Sequence, residues 1–190
     1  MLAVGIDCAT ASGWALVARE NRHERVIDHG VVDLSGKRGR PSEVISALVQ
    51  RLARSTSLEG LPVAIELPYL ARGKTQNVVV LRTLARLCGR WEQALGVHGA
   101  DVELIMADAW QRRILGSFGG RKRAERKKAA KLWARGTFGK LFSEDEADAV
   151  AIATCLLRER DTDALLAEAA KVRQAGARRA SCESVLPGHP

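Results

Sequence analysis

No apolar run in the 190 residues approaches the roughly 20 needed to cross a bilayer, so no membrane span is expected. The amino terminus, MLAVGIDCAT, lacks a positive leader and meets an acid at Asp7, so it does not read as a signal peptide. The four cysteines, Cys8, Cys88, Cys155 and Cys182, are scattered and form no C-x-x-C pair. Three of them lie among apolar residues and read as reduced core thiols, the usage of a cytoplasmic protein. The four histidines are scattered too, which argues against a zinc site. There is no internal repeat, and no Ser/His/Asp or Cys/His arrangement suggests a side-chain nucleophile.

What is present is an ordinary globular composition with an uneven charge distribution. Hydrophobic residues make up 46% and charged residues 27%, enough for one domain with a real core. The net charge is +8 and the pI about 9.8, which points to a polyanionic partner. Seven basic residues stand against one acid, Glu125, in the stretch RKRAERKKAAK. They are Arg121, Lys122, Arg123, Arg126, Lys127, Lys128 and Lys131. A charge run is often just a solvated face. Here the rest of the chain is nearly neutral, so the concentration favours phosphate contact, of the kind that fixes position on a backbone.

The acids are more informative than the bases. Ser143 to Leu157, SEDEADAVAIATCLL, predicts a helix with Ser143 as N-cap and Glu146 closing a capping box. From Ala147 on it is apolar all round, the pattern of a buried helix lying flat on a sheet. Asp148 sits inside that run, one turn from Asp145 and on the same face. Asp145 can simply complement the helix dipole, and Asp148 can pair with one of the arginines. A cation between the two is the other way to relieve their repulsion.

Other strand-borne acids join them. Leu2 to Ile6 alternates as a strand, with Asp7 on the face of Ala3 and Gly5, residues small enough to let another body approach. A turn at Thr10–Gly13 leads to strands over Trp14–Ala18 and Arg25–Leu34. Ser42 can cap a surface helix running through Leu52. Leu61–Leu67 reads as a central strand covered on both faces, with Glu66 at its carboxyl end, where α/β folds build sites. A long helix follows over Thr75–Leu95. Gly89 lies inside it at a cost of about 1 kcal/mol relative to alanine, which suggests close packing there. Asp101–Met106 reads as a buried strand and Ala107–Leu115 as a short helix containing Trp110. An amphipathic helix over Asp161–Gln174 and a mobile basic tail over 175–190 complete the chain.

Separate elements thus deliver Asp7, Glu66, Asp145 and Asp148. Carboxylates are hard oxygen ligands suited to Mg2+ or Mn2+, and a basic surround would draw in phosphate. Two such ions about 4 Å apart can activate water and stabilise the leaving oxygen of a phosphodiester.

GIDCATASGWAL, VAIELPYL, the basic stretch after GSFGG, and EDEADAVAIA, in that order and spacing, resemble the RuvC family of Holliday-junction resolvases, within the RNase H-like superfamily. The resemblance covers roughly residues 1–157. It implies an α/β fold, a mixed five-stranded sheet flanked by helices, over a nuclease domain of residues 1–158, followed by a helix over 159–174. It implies a cytoplasmic, Mg2+-dependent homodimer, Mn2+ being able to substitute, that cuts branched DNA at four-way junctions in recombination and repair. The acidic tetrad falls on Asp7, Glu66, Asp145 and Asp148, with Asp7 shared between ions. The junction-stacking aromatic falls on Tyr69, and the basic helix entry on Arg123, Arg126 and Lys127. Where the family has Pro-Gly after the first aspartate, Cys8-Ala9 stands here. The Thr75–Leu95 helix is the expected dimer face. Three alternatives stay open: another RNase H-like nuclease acting on flaps or RNA–DNA hybrids, an ATP-binding actin- or hexokinase-like protein, and a non-catalytic junction-binding module. The second wants glycine where Ala9 stands.

Overall fold

The computed structural model describes residues 1–37, 39–68, 78–116 and 122–183, and the side chains among them other than those at 172 and 174–183. Five strands, β1 (Leu2–Asp7), β2 (Ala11–Glu20), β3 (His23–Asp33), β4 (Pro62–Glu66) and β5 (Asp101–Ile105), form one mixed sheet in the order β3-β2-β1-β4-β5. The first three are antiparallel neighbours, while β1–β4 and β4–β5 run parallel. The parallel steps need crossovers, and two helices supply them: α1 (Pro41–Ser55) and α2 (Val78–Gly96). Then come α3 (Ala107–Leu115), α4 (Arg123–Phe138) and α5 (Glu144–Glu183).

Period-two alternation sorts the strands onto two cores. Val4, Ile6, Trp14, Leu16, Val63 and Ile65 point to one face, where α1 brings Ile45, Leu48, Val49 and Leu52, and α2 brings Leu87, Cys88, Trp91 and Leu95. Ala3, Ala15, Val17 and Ala64 point to the other, against α5 and the buried residues of α3 and α4. On α5 every residue from Ala149 to Leu157 is buried, as expected of a helix apolar all round. Its start is the reciprocal cap that the sequence predicts: Ser143 N–H donates to Glu146 Oε2 (2.8 Å), and Glu146 N–H to Ser143 Oγ (3.3 Å).

Several expectations need correction. The β1–β2 turn is shorter than Thr10–Gly13, because Ser12 and Gly13 already belong to β2 and Gly13 pairs with Asp7. The N-cap of α1 is Arg40 rather than Ser42, since Pro41 takes the first helical position. β5 is an edge strand, not a buried one: Leu104 is 43% exposed, and Val102 and Glu103 are only half-buried. Gly89 has no described residue within 4 Å of where its Cβ would stand. The apolar periodicity of α2 turns Leu87, Cys88 and Trp91 inward and leaves Gly89 outside.

The described residues divide into two units, Met1–Leu157 and a second beginning at Arg158. In the second, the backbone is helical to Glu183, so a tail starting at 175 begins too early. Leu165 and Leu166 there are exposed. Among the described residues no helix is long and apolar enough to cross a membrane.

Candidate active site

Parallel register puts two acids side by side. The last β1–β4 pair is Ile6↔Ile65, and the next residue on each strand is Asp7 and Glu66. Both lie on the face that α5 covers, because Gly5 and Ala64 occupy it two positions earlier. How near α5 comes is set by glycine. A Cβ on Gly5 would overlap Ala149 O and Ala153 N, and one on Gly13 would overlap Asp145 O. The helix backbone rests directly on the hairpin, which lowers its first turns beside Asp7.

Asp7, Glu66, Asp145 and Asp148 consequently line one open cleft of about 400 Å³. Arg123, Arg126 and Lys127 of α4 line it too, with Cys8, Leu84 and Gln111 among the remaining wall residues. Lys122 and Lys128 are exposed and stand outside that lining. Tyr69 and Arg121, both expected at the DNA, lie outside the described residues.

The electrostatics are those of crowded acids. Burial, then the charges of Glu66, Asp148 and Asp145, push Asp7 up to about 8. Burial and the charge of Glu66 push Asp148 up to about 7. Burial also raises Glu66, against the Trp110 hydrogen bond and the charges of Arg123, Lys127 and Arg126. Asp148 is 8% exposed and has little access to water.

Two side chains hold individual acids. Lys127 Nζ donates to Asp145 Oδ1 at 2.8 Å and lies 3.6 Å from Glu144 Oε2. Burial pulls the Lys127 ammonium down, but Asp145, Asp148 and Asp7 outweigh it and its pKa is raised. Trp110 Nε1–H donates to Glu66 Oε2 at 2.7 Å. Among the described residues no group of three or more His, Cys, Asp or Glu side chains is arranged as a metal site.

Sequence reasoning missed Trp110 as a partner of Glu66 and treated Lys127 only as a phosphate contact. An indole in a short helix looks like core, and nothing in a linear pattern links residue 110 to residue 66. A second support was also invisible: His29 Nδ1 on β3 lies 2.9 Å from Glu146 Oε1, tying the capped start of α5 to the sheet.

Cys8 is buried beside α2, and its thiol donates to Leu84 O at 3.8 Å. The Cys88 thiol as hydrogen-bond partner, then burial, raise its pKa strongly. Cys8, Cys88 and Cys155 are buried thiols outside any disulfide.

No family sequence model matches the chain, and no curated protein sequence is similar to it. Solved structures do match. Thermus thermophilus RuvC in complex with a Holliday junction substrate superposes with a TM-score of 0.62 at 23% identity, over 82% of this chain and 92% of that one. A second T. thermophilus RuvC structure gives 0.59 at 21% identity, with the same coverage. This chain has the RuvC fold. The fowlpox virus Holliday junction resolvase also aligns, with a TM-score of 0.44 at 10% identity, over 84% of this chain and 97% of that one. The likeness covers the mixed five-stranded sheet flanked by helices.

Proposed function

We propose that this chain is a divalent-metal-dependent endonuclease that resolves four-way DNA junctions. The observation that supports it most directly is the meeting of Asp7, Glu66, Asp145 and Asp148 in one cleft rimmed by Arg123, Arg126 and Lys127. Similarity of fold to RuvC, solved with a Holliday junction substrate, supports the substrate class.

The donor set suits Mg2+ or Mn2+. All four cleft acids offer carboxylate oxygens, the ligands hard cations prefer. Asp7 and Asp148 are held at about 8 and about 7, so positive charge among them stabilises their ionised forms. Bound there, the ions would activate a water and stabilise the leaving oxygen of a phosphodiester. The chain's own residues do the rest. Asp7 and Glu66 present their oxygens from adjacent strand ends on a rigid sheet. Asp145, now held by Lys127, would serve as a further carboxylate ligand, and the ammonium it released would then be free for a backbone phosphate. Arg123 and Arg126 attract and seat the DNA backbone without reading its bases. No side chain need attack, which fits the lack of an activated nucleophile.

A junction has two strands to cut, so the proposal includes a second copy of the chain. Val78, Val79 and Val80 at the start of α2 are each more than half exposed, and Gly89 has no described residue within 4 Å of where its Cβ would stand. This is the surface that a two-fold partner would cover.

The test is cleavage of a labelled synthetic four-way junction with Mg2+, Mn2+ or EDTA, alongside flap, duplex and RNA–DNA hybrid substrates. Metal-dependent paired cuts in the junction are expected from the wild type, and none from Asp7→Asn or Asp148→Asn. Undiminished cutting by either variant sinks the reading. Preference for the hybrid or flap moves the protein to another RNase H-like activity.

A further inference from the structure

A carboxylate with one oxygen committed to a fixed donor can offer a cation the other oxygen more readily than both. Glu66 is in that position. Its Oε2 accepts from Trp110 Nε1–H at 2.7 Å. The indole is no free rotor: Trp110 is 1% exposed and packs in the same core as Ile105 and Ile114. Turning the N–H away would open that core and leave a buried donor without a partner, since indole nitrogen can only donate. The carboxylate is constrained from the other side too, because Glu66 ends β4 and its backbone belongs to the sheet.

We infer that Trp110 is a positioning and specificity residue, holding Glu66 as a one-oxygen ligand and thereby biasing the cleft toward Mg2+ over Ca2+. This rests on the reading above that the cleft acids hold divalent ions. Ca2+ takes about 6–8 oxygens and often grips a carboxylate through both. Mg2+ demands near-octahedral geometry, keeps several waters and uses one or two carboxylates, one oxygen each. A wall of buried indole behind Glu66 disfavours the rotation that two-oxygen binding requires. Trp110 itself touches no reacting atom and acts only through Glu66.

The test needs no turnover. The full-length protein is titrated calorimetrically with Mg2+ and, separately, with Ca2+, in the absence of DNA. Three variants are compared: Trp110→Phe, a protein carrying the tryptophan isostere benzothienylalanine at position 110, and Ile114→Val. The isostere keeps the indole's size and replaces its N–H with sulfur, so it stays informative if Trp110→Phe fails to fold. Ile114→Val perturbs the same core without touching Glu66.

Loss of the N–H is expected to weaken Mg2+ binding about 10-fold, while Ca2+ binding stays level or tightens. Ile114→Val should leave the Mg2+/Ca2+ ratio where it was. An isostere that binds both ions as tightly as the wild type makes Trp110 a core residue only and overturns the proposal. So does an equal loss for both ions, which would show orientation without discrimination. A wild type that binds neither ion removes the metal reading itself, a failure distinct from a wild type that binds both and variants that do not change.

Discussion

The two faces of the sheet use the same strands for opposite purposes. On the face covered by α1 and α2, strand residues are large: Val4, Ile6, Trp14, Leu16, Val63 and Ile65. Side chains interdigitate and keep the helices at a distance set by their bulk. On the other face the strand residues are mostly small, and at Gly5 and Gly13 the backbone of α5 lies where a side chain would be. The first face is an ordinary core. The second trades side-chain packing for closeness, and closeness is what brings Asp145 and Asp148 to Asp7 and Glu66. A site made of mutually repelling acids needs rigid backbone contact behind it, because the acids themselves push apart.

The sharpest way to break this contrast is to give the close face a side chain. Gly5→Val should cost about 3 kcal/mol or more, since only backbone atoms of α5 stand in the way. Ile6→Val, one residue along and on the bulky face, should cost only about 1 kcal/mol. Denaturant midpoints measure both, and similar losses would mean that the two faces are packed alike.

Next in size is the effect of pH on the acids. Asp7 and Asp148 are raised to about 8 and about 7 in the folded chain. Unfolded, they would titrate near 4. A raised carboxyl holds its proton longer when folded, so this contribution favours the fold at low pH and is lost as pH climbs from about 4 to about 8. Metal-free protein should therefore lose stability over that window, by up to about 1.4 kcal/mol per pH unit for each proton involved. Asp7→Asn should flatten the slope. Added Mg2+ should bind more tightly as pH rises through the same range, because it competes with those protons. Melting curves across pH, with and without Mg2+, check both, and an unchanged slope in Asp7→Asn would remove Asp7 as its source.

Lys127→Met takes away the charge that partly balances the acids. Its ion pair with Asp145 is partly exposed, with side chains 20% and 28% accessible, so the loss should be about 1 kcal/mol. It should be larger at pH 8 than at pH 5, where Asp7 and Asp148 are protonated. An effect independent of pH would assign Lys127 to packing alone.

The smallest effect belongs to the outer surface of α2. Gly89→Ala meets nothing among the described residues and should stabilise the isolated chain by roughly 0.5–1 kcal/mol through helix propensity. If it instead weakens self-association in light scattering, that face is in contact with a second copy.

Much of the site could be read from residue order because its parts are local. Alternation put Asp7 opposite Ile6 and next to Gly5; the uninterrupted run before Glu66 marked a strand end; Ser143 and Glu146 announced the start of α5. The dense basic stretch also declared itself, though among the described residues only Arg123, Arg126 and Lys127 of it line the cleft. Gly89 misled, because a helix glycine signals close packing only if it faces inward, and its neighbours decide that.

Local periodicity and capping chemistry, which depend on residues within a turn or a pleat of one another, settled by sequence alone that this is an α/β chain with acids at strand and helix ends. Which acids would share a cleft, and what would hold each of them, was decided only in three dimensions. Parallel register of β1 with β4, the seating of α5 on Gly5 and Gly13, and the bonds from Trp110 to Glu66 and Lys127 to Asp145 join residues far apart along the chain. The energies of such contacts depend on distance in space, and a linear pattern does not contain it.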